Sequence, residues 1–255
     1  MNKVWLVLQK ELRELLPQRV LLFSVSFIPL VLVVLSGFFL VYPLRGVRLP
    51  VAASDPRLAG MSPMEIQQAF MGMEFRIILL FQSLIIPAVI AAYSIVGEKN
   101  NRTLEPLLAA PVRTWQLLFA KSLAALLPAI AVTWISGGIF IGEVAGLTSP
   151  AVSAMVITPG WLTTLILTVP VMVLVPIALA VMVSSRVTDP RSASQLSSLV
   201  FILLLLVLEI SGSALVMISV TEALVATAVF AALGAALLSI ATRLFQREAI
   251  LTRWT

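Results

Sequence analysis

The chain has 255 residues, of which 60% are apolar and only 11% are charged, and its mean hydropathy is +1.08. No soluble domain of this length sustains such a composition, so the sequence predicts an all-α polytopic membrane protein. It contains no cysteine and no histidine, which excludes disulfides, thiol nucleophiles, histidine-ligated metal sites and Ser-His catalysis.

The first segment, residues 3–16, is predicted to form an amphipathic interfacial helix. Its apolar residues fall on one side, and Lys3, Gln9, Lys10, Arg13 and Glu14 fall mostly on the other; the apolar set is Val4, Trp5, Leu8, Leu12 and Leu15. This pattern is typical of a helix lying along a membrane surface. The alternative is a simple positively charged N-terminal tail.

Six apolar segments are predicted to span the membrane, since about 20 residues at 1.5 Å each cross roughly 30 Å of hydrocarbon. They are 20–41, 77–96, 117–141, 162–183, 196–210 and 223–241. The last 14 residues, 242–255, form a predicted tail.

The loop over residues 42–74 is predicted to be a structured outer cap. Within it, Ser62 and Glu65 have the spacing of a capping box, which indicates a helix that starts at Pro63 and runs into the second span.

The loop over residues 97–116 is the most polar part of the chain. Asn101 or Thr103 can cap a short helix there, with Pro106 in its first turn and Pro111 ending it. Leu104, Leu107 and Leu108 then share one side of that helix. An exposed apolar surface of this kind indicates a partner protein with a matching groove.

Two spans carry patterns that are typical of close packing or bending. Gly138 and Gly142 form a G-x-x-x-G in the third span, which predicts either subunit packing or packing inside the chain. Pro170 and Pro176 in the fourth span each remove a backbone hydrogen bond, so we expect a bent helix. It either borders a transport path or is a kinked packing helix.

The fifth span is expected to end near Ile210, because Glu209 interrupts its aliphatic run and more apolar residues follow. We therefore predict a short outer re-entrant segment over residues 211–222. This arrangement puts Glu209 near the outer interface, where a carboxylate costs less than at the midplane.

The distribution of basic residues predicts the orientation. Thirteen lie on one side, including those in the loop 184–195, and the other side holds Arg45, Arg48, Arg57 and Arg76. Basic residues favour the cytoplasmic side, so both termini are predicted to be cytoplasmic.

The sequence contains no recognisable catalytic motif. There is no G-x-x-x-x-G-K-[ST] phosphate loop and no nucleophile with a base, so we expect no ATP hydrolysis by this chain. An external motor is therefore one hypothesis. A secondary transporter or channel is another, but it is expected to carry ionisable residues inside its spans. A membrane-bound enzyme such as a lipid transferase is a third hypothesis. It needs clustered acids or histidines at the membrane interface, and the sequence shows no such cluster.

The loop over residues 97–116 resembles the loop between the second and third membrane helices of the ABC-2 type transporter permeases. The matching features are Glu98, Thr103-Leu104-Glu105, Leu107-Leu108, Pro111-Val112 and Lys121. Arg102, after Asn101, replaces the usual glycine before the threonine, which affects the turn. In that family the segment is the coupling helix that docks on the ATPase. The resemblance therefore implies ATPase-subunit contacts at Glu98, Arg102, Thr103, Leu104, Glu105, Leu107, Leu108 and Arg113. Lys121, together with Glu98, is expected to anchor the loop at the two helix ends; the alternative is that these two side chains merely extend toward water.

The resemblance also implies the assembly. The chain is expected to be the permease subunit of an exporter, paired with a second permease copy or a paralogue in the plasma or bacterial inner membrane. ATP and Mg²⁺ are expected on separate ATPase subunits. No cofactor in this chain and no nucleic-acid partner are expected.

Overall fold

The computed structural model describes residues 3–42, 58, 60–100, 112–184, 189–196, 199 and 218–244. Within these residues the chain is almost entirely helical and has no strand. The helices are α1 (Lys3–Leu15), α2 (Arg19–Val41), α3 (Pro63–Asn100), α4 (Thr114–Leu147), α5 (Pro150–Val156), α6 (Pro159–Ser184) and α7 (Val220–Leu244), with a short helical stretch over 190–196.

Five helices in the described part of the chain are long and apolar enough to cross a membrane. They are α2, α3 as far as Glu98, α4, α6 and α7. The chain is therefore a multi-pass membrane protein. The remaining predicted span, 196–210, lies mostly outside the described residues, as does most of the predicted re-entrant segment 211–222.

Two helices begin at capping boxes, in which a serine and a glutamate satisfy each other's free backbone donors. At the start of α3, the Ser62 N–H donates to Glu65 at 2.8 Å and the Glu65 N–H donates to the Ser62 hydroxyl. Ser219 and Glu222 form the same arrangement at α7. Residues 220–222, assigned above to a re-entrant segment, therefore belong to α7.

Helix α6 is interrupted where the sequence places its prolines. A π-helical segment, Thr164–Thr168, precedes Pro170, and a turn at Val173 precedes Pro176. Pro170 has no N–H to donate to the Leu165 carbonyl, as the π pattern would require. The indole of Trp134 on α4 donates to that carbonyl instead, at 2.9 Å. The neighbouring helix thus compensates for the missing backbone bond.

Helix α3 is the centre of the bundle and packs against α2, α4, α5 and α6. Its buried side chains belong to two separate apolar clusters. The α1-end core contains Leu84, Ile90 and Val96 together with α1, and the far core contains Met73 together with Phe140 and Trp161. Helix α7 packs mainly on α6 and leaves most of its apolar surface exposed.

Candidate functional site

A cluster of charged side chains lies where α1 meets the ends of α3 and α4. Glu11 belongs to the buried face of α1, between Val7 and Leu15, and it is only 3% exposed. Glu98 lies near the end of α3, and Lys121 lies in the second turn of α4. We call Lys10, Glu11, Glu98 and Lys121 the ion cluster.

Lys121 is the centre of the ion cluster. Its Nζ lies 2.8 Å from Glu11 Oε1 and 2.8 Å from Glu98 Oε2, and its side chain is 3% exposed. Ser94 adds a polar bridge, because its hydroxyl donates to Glu11 Oε2 at 2.9 Å and accepts from Lys121 at 3.1 Å. Buried charges are tolerated when they are paired and hydrogen-bonded in this way.

Lys10 closes the cluster from the more exposed side. Its Nζ is 2.8 Å from Glu98 Oε1, 3.3 Å from Glu11 Oε1 and 2.9 Å from Glu14 Oε2. Each of the two buried carboxylates therefore has two ammonium partners. The ion pairs join three helices that are far apart in sequence.

The surroundings keep both partners on α1 charged. Burial alone would raise the pKa of Glu11, but the attraction and the hydrogen bond of Lys121 bring it below its usual value. Burial would likewise lower the pKa of Lys10, and its hydrogen bonds to Glu98 and Glu14 raise it above its usual value instead.

Three carboxylates, those of Glu11, Glu14 and Glu98, come within 4.8 Å of one another. They are the donor type that hard cations prefer. Here Lys10 and Lys121 already bind them at 2.8–3.3 Å and balance two of the three negative charges. A cavity of about 320 Å³, lined by Glu14, Gln18, Ser94 and Gly97 among others, opens beside them.

The ion cluster thus ties an amphipathic first helix to both helices that flank the polar loop. A family model described as "ABC-2 family transporter protein" matches residues 5–227, which is most of the chain. The chain belongs to this family. No curated protein matches it.

In this ABC-2 chain the structure describes three of the residues that were predicted to contact the ATPase or to anchor the loop. Glu98 and Lys121, predicted to hold the loop at its two ends, lie 2.8 Å apart in the ion cluster. Arg113 is exposed just before α4, where its N–H donates to the Gln116 side chain at 3.1 Å. The other predicted contacts lie outside the described residues: Arg102, Thr103, Leu104, Glu105, Leu107 and Leu108.

Gly138 and Gly142 are exposed on α4 in this ABC-2 chain. A Cβ atom built on either residue meets nothing within 4 Å, whereas one on the adjacent Gly137 would lie 2.8 Å from Leu165. Among the described residues nothing packs against the two glycines, and packing against the remainder of the chain stays a prediction. Subunit packing stays a prediction.

Glu11 is the member of the ion cluster that the amphipathic pattern of α1 did not reveal. Val7, Glu11 and Leu15 are spaced four residues apart, so a glutamate lies in the middle of the buried face. That spacing in the sequence could have indicated that Glu11 is buried. Trp5, assigned above to the apolar face, is 55% exposed.

Arg76 differs from its sequence interpretation as an outer basic residue. It lies inside α3 and is 1% exposed, and none of its three side-chain nitrogens has a hydrogen-bond partner among the described residues. Its guanidinium carbon lies 5.4 Å from the centre of the Trp161 ring, which is a cation–π arrangement. Its charge is therefore buried in the far core.

Glu143 is a second charged residue that the predicted spans left out. Helix α4 continues to Leu147 rather than ending at 141, so Glu143 lies within it. Its carboxylate accepts from the Ser36 hydroxyl of α2 at 2.6 Å. Gly37 permits this approach, because a Cβ atom there would lie 2.8 Å from the carboxylate.

Proposed function

We propose that this chain is the permease subunit of an ABC-2 exporter, in which two membrane subunits enclose the transport path and separate ATPase chains supply energy. The ion cluster is the observation that carries the proposal. It connects α1, α3 and α4 on both sides of the loop that the family resemblance assigns to ATPase docking.

In this proposal the α1 end of the bundle faces the cytoplasm, and six spans place both termini there. Apart from Arg76, which is buried, the basic residues remain concentrated on the α1 side. An ATPase bound to the loop would then work next to the ion cluster.

The ion cluster suits the transmission of force. A push on the loop acts on the end of α3 and the start of α4, and the ion pairs of Lys121 and Lys10 pass the displacement to α1. Since paired buried charges have fixed partners and directions, the three helix ends move together.

The chain needs no ATP site of its own in this scheme. ATP and Mg²⁺ bind to the partner ATPase subunits, and the permease contributes the docking helix, the ion cluster and the spans. The absence of a phosphate-loop motif from the sequence supports this division of labour.

The test is co-expression with the ABC ATPase encoded beside this gene, followed by purification through a tag on the permease. We expect a complex with two copies of each chain and measurable ATP hydrolysis. Leu104→Asp and Leu107→Asp place a charge on the predicted docking side, so they are expected to abolish co-purification or uncouple hydrolysis from transport.

Ala109→Asp is the matched control, because it adds the same charge to the same loop away from the Leu104 and Leu107 side. It should retain the ATPase. Normal complexes and normal transport in both leucine variants would refute the docking assignment.

A secondary transporter is the second candidate, and two charged residues away from the ion cluster, the buried Arg76 and the half-buried Glu143, are the observations in its favour. Arg76 and Glu143 lie within helices that span the membrane, and such residues mark ion pathways in secondary transporters. Transport by the permease alone in proteoliposomes, driven by an ion gradient and lost in Glu143→Gln, would favour this candidate.

A further inference from the structure

A larger cavity, of about 830 Å³, lies between α3 and the segment that contains the helical stretch 190–196. Sites for small molecules typically measure about 300–1,000 Å³, so this volume suits one ligand of that class. The lining residues are Ile85, Val89, Tyr93, Arg191, Ser192, Ser194, Gln195, Leu196 and Leu199. We call it the α3 cavity.

The α3 wall of this cavity is apolar at one end and polar at the other. Ile85, Val89 and Tyr93 are spaced four residues apart, so they share one side of the helix and cover about 12 Å of its length. Tyr93 precedes Ser94, which bonds to the ion cluster. The end of this wall at Ile85 is therefore apolar, and the end at Tyr93 is level with the charged groups.

The opposite wall also contains both apolar and polar side chains. Leu196 and Leu199 supply exposed apolar surface, 49% and 52% exposed respectively, and Arg191 and Gln195 supply donors. An apolar wall with a cationic group at one end matches a molecule with a hydrocarbon chain and an anionic head.

Asp189 lies beside Arg191 and reduces its field, and its carboxylate is bound by Ser192, which also lines the cavity. It accepts from the backbone N–H of Ser192 at 2.9 Å and from the Ser192 hydroxyl at 2.8 Å, so it caps the 190–196 helix. These bonds hold the pKa of Asp189 below its usual value. Asp189 is not among the residues that line the cavity, and Arg191 is.

We propose that the α3 cavity binds a single-chain anionic amphiphile, with its carboxylate or phosphate at Arg191 and Gln195 and its chain against Ile85 and Val89. The proposal names the class of cargo for the exporter described above, and in that respect it rests on the proposed function. The amphiphile enters from the leaflet on the α1 side, because the polar end of the cavity is on that side.

Tyr93 gives cargo binding a route to the ion cluster. It lines the α3 cavity and also the 320 Å³ cavity beside the cluster. A bound amphiphile therefore contacts a side chain whose chain neighbour, Ser94, hydrogen-bonds Glu11 and Lys121. Occupancy of the cavity can change the cluster through a single residue.

The experiment measures binding to the full-length permease, without ATPase, in nanodiscs of phosphatidylcholine. The probe is dansylaminoundecanoic acid, whose fluorescence rises in an apolar site, and empty discs supply the background. We expect saturable binding that dodecyl phosphate displaces and dodecyltrimethylammonium does not. Displacement also by phosphatidylglycerol added to the discs would identify the bilayer as a source of the ligand.

Two variants test the two ends of the cavity. Arg191→Gln removes the charge from an exposed position and should raise Kd about tenfold, as expected for a lost charge-assisted contact. Val89→Trp fills the apolar end and should raise Kd by at least as much. Arg243→Gln and Val229→Trp make the same changes on α7, outside the cavity, and should leave Kd within about twofold.

Equal binding by the parent, Arg191→Gln and Val89→Trp would overturn the proposal, and so would equal displacement by the cationic amphiphile. Because no ATPase is present, the result does not depend on the docking assignment. Failure of the ATPase complex together with intact probe binding would count against the exporter, whereas an intact complex without probe binding would count only against this cargo class.

Discussion

The α1 end and the far end of the molecule bury charge in two different ways. At the α1 end, Lys121 has two carboxylate partners at 2.8 Å, and the three helices it joins are held by ion pairs. In the far core, Arg76 is equally buried, and within the described part of the chain its guanidinium faces the Trp161 ring and has no hydrogen-bond partner. Burial alone therefore does not reveal whether a charge stabilises the fold; its partners do.

Removing the central cation should have the largest effect. Lys121→Met leaves Glu11 and Glu98 buried with fewer partners, and breaking a buried pair costs about 3–5 kcal/mol. We expect a large fall in Tm in detergent compared with Arg243→Met, which removes an exposed cation. Replacing both acids as well, in a triple variant with Glu11→Gln and Glu98→Gln, should recover part of the loss. Equal Tm values for the two single variants would show that the cluster does not stabilise the protein.

Removing the isolated cation should act in the opposite direction. Arg76→Met ends the desolvation cost of an unpaired charge, which exceeds the roughly 0.5–2 kcal/mol gained from a cation–π contact. We expect Tm to stay the same or to rise, with a gain of up to about 1 kcal/mol in the free energy of unfolding. A fall as large as that of Lys121→Met would show that Arg76 has a charged partner in the purified protein.

The ion cluster should also give the stability of the protein a defined dependence on pH. The pKa of Glu11 is lower in the folded chain than its usual 4.5, so its contribution is complete above pH 4.5 and is lost as the pH falls through the folded value. The pKa of Lys10 is higher than its usual 10.5, so its contribution is complete below pH 10.5 and is lost as the pH rises through the folded value. Thermal unfolding across pH should show a plateau between these limits, with a weaker acid dependence in Glu11→Gln. An identical acid limb in that variant would contradict the assignment.

The smallest effect on the fold is expected at the exposed glycines. Gly142→Ala meets nothing among the described residues, so the free energy of unfolding should change by no more than the roughly 0.5–1 kcal/mol that alanine gains over glycine in a helix, and Tm should change little. Gly137→Ala, whose Cβ would collide with Leu165, should lower Tm. If Gly142 packs between subunits, Gly142→Ala should also lower the dimer fraction in cross-linking, and an unchanged fraction would argue against that interface.

The sequence predicted the helical membrane class, because long apolar segments have few other stable structures in lipid. It also singled out Glu98 and Lys121 as charged residues at the two ends of a polar loop in an apolar chain, but it did not predict their ion pairs with α1. Glu11 was not predicted to be buried, because the amphipathic pattern of α1 predicts apolar side chains on its buried face and Glu11 lies on that face.

Two further charges depended on helix length. Residues 63–100 form one helix of 38 residues, so Arg76 lies in the part of α3 that precedes the predicted span 77–96. Helix α4 continues to Leu147, so Glu143 lies inside a helix rather than in a loop. Hydropathy finds the apolar centre of a span but not the point where its hydrogen bonding stops. Which glycines face a neighbour, such as Gly137 rather than Gly138, depends on how the helices pack around one another.

The length of α3 has a mechanical consequence. Pro87 interrupts its backbone bonding near the α1-end core, and Pro63 lies 24 residues away at the other end. At 1.5 Å per residue the arm between them is about 36 Å long, so a tilt of about 5° at the proline moves its tip by roughly 3 Å. A tilt of this size at Pro87 would therefore displace the Pro63 end of α3 by an atomic distance.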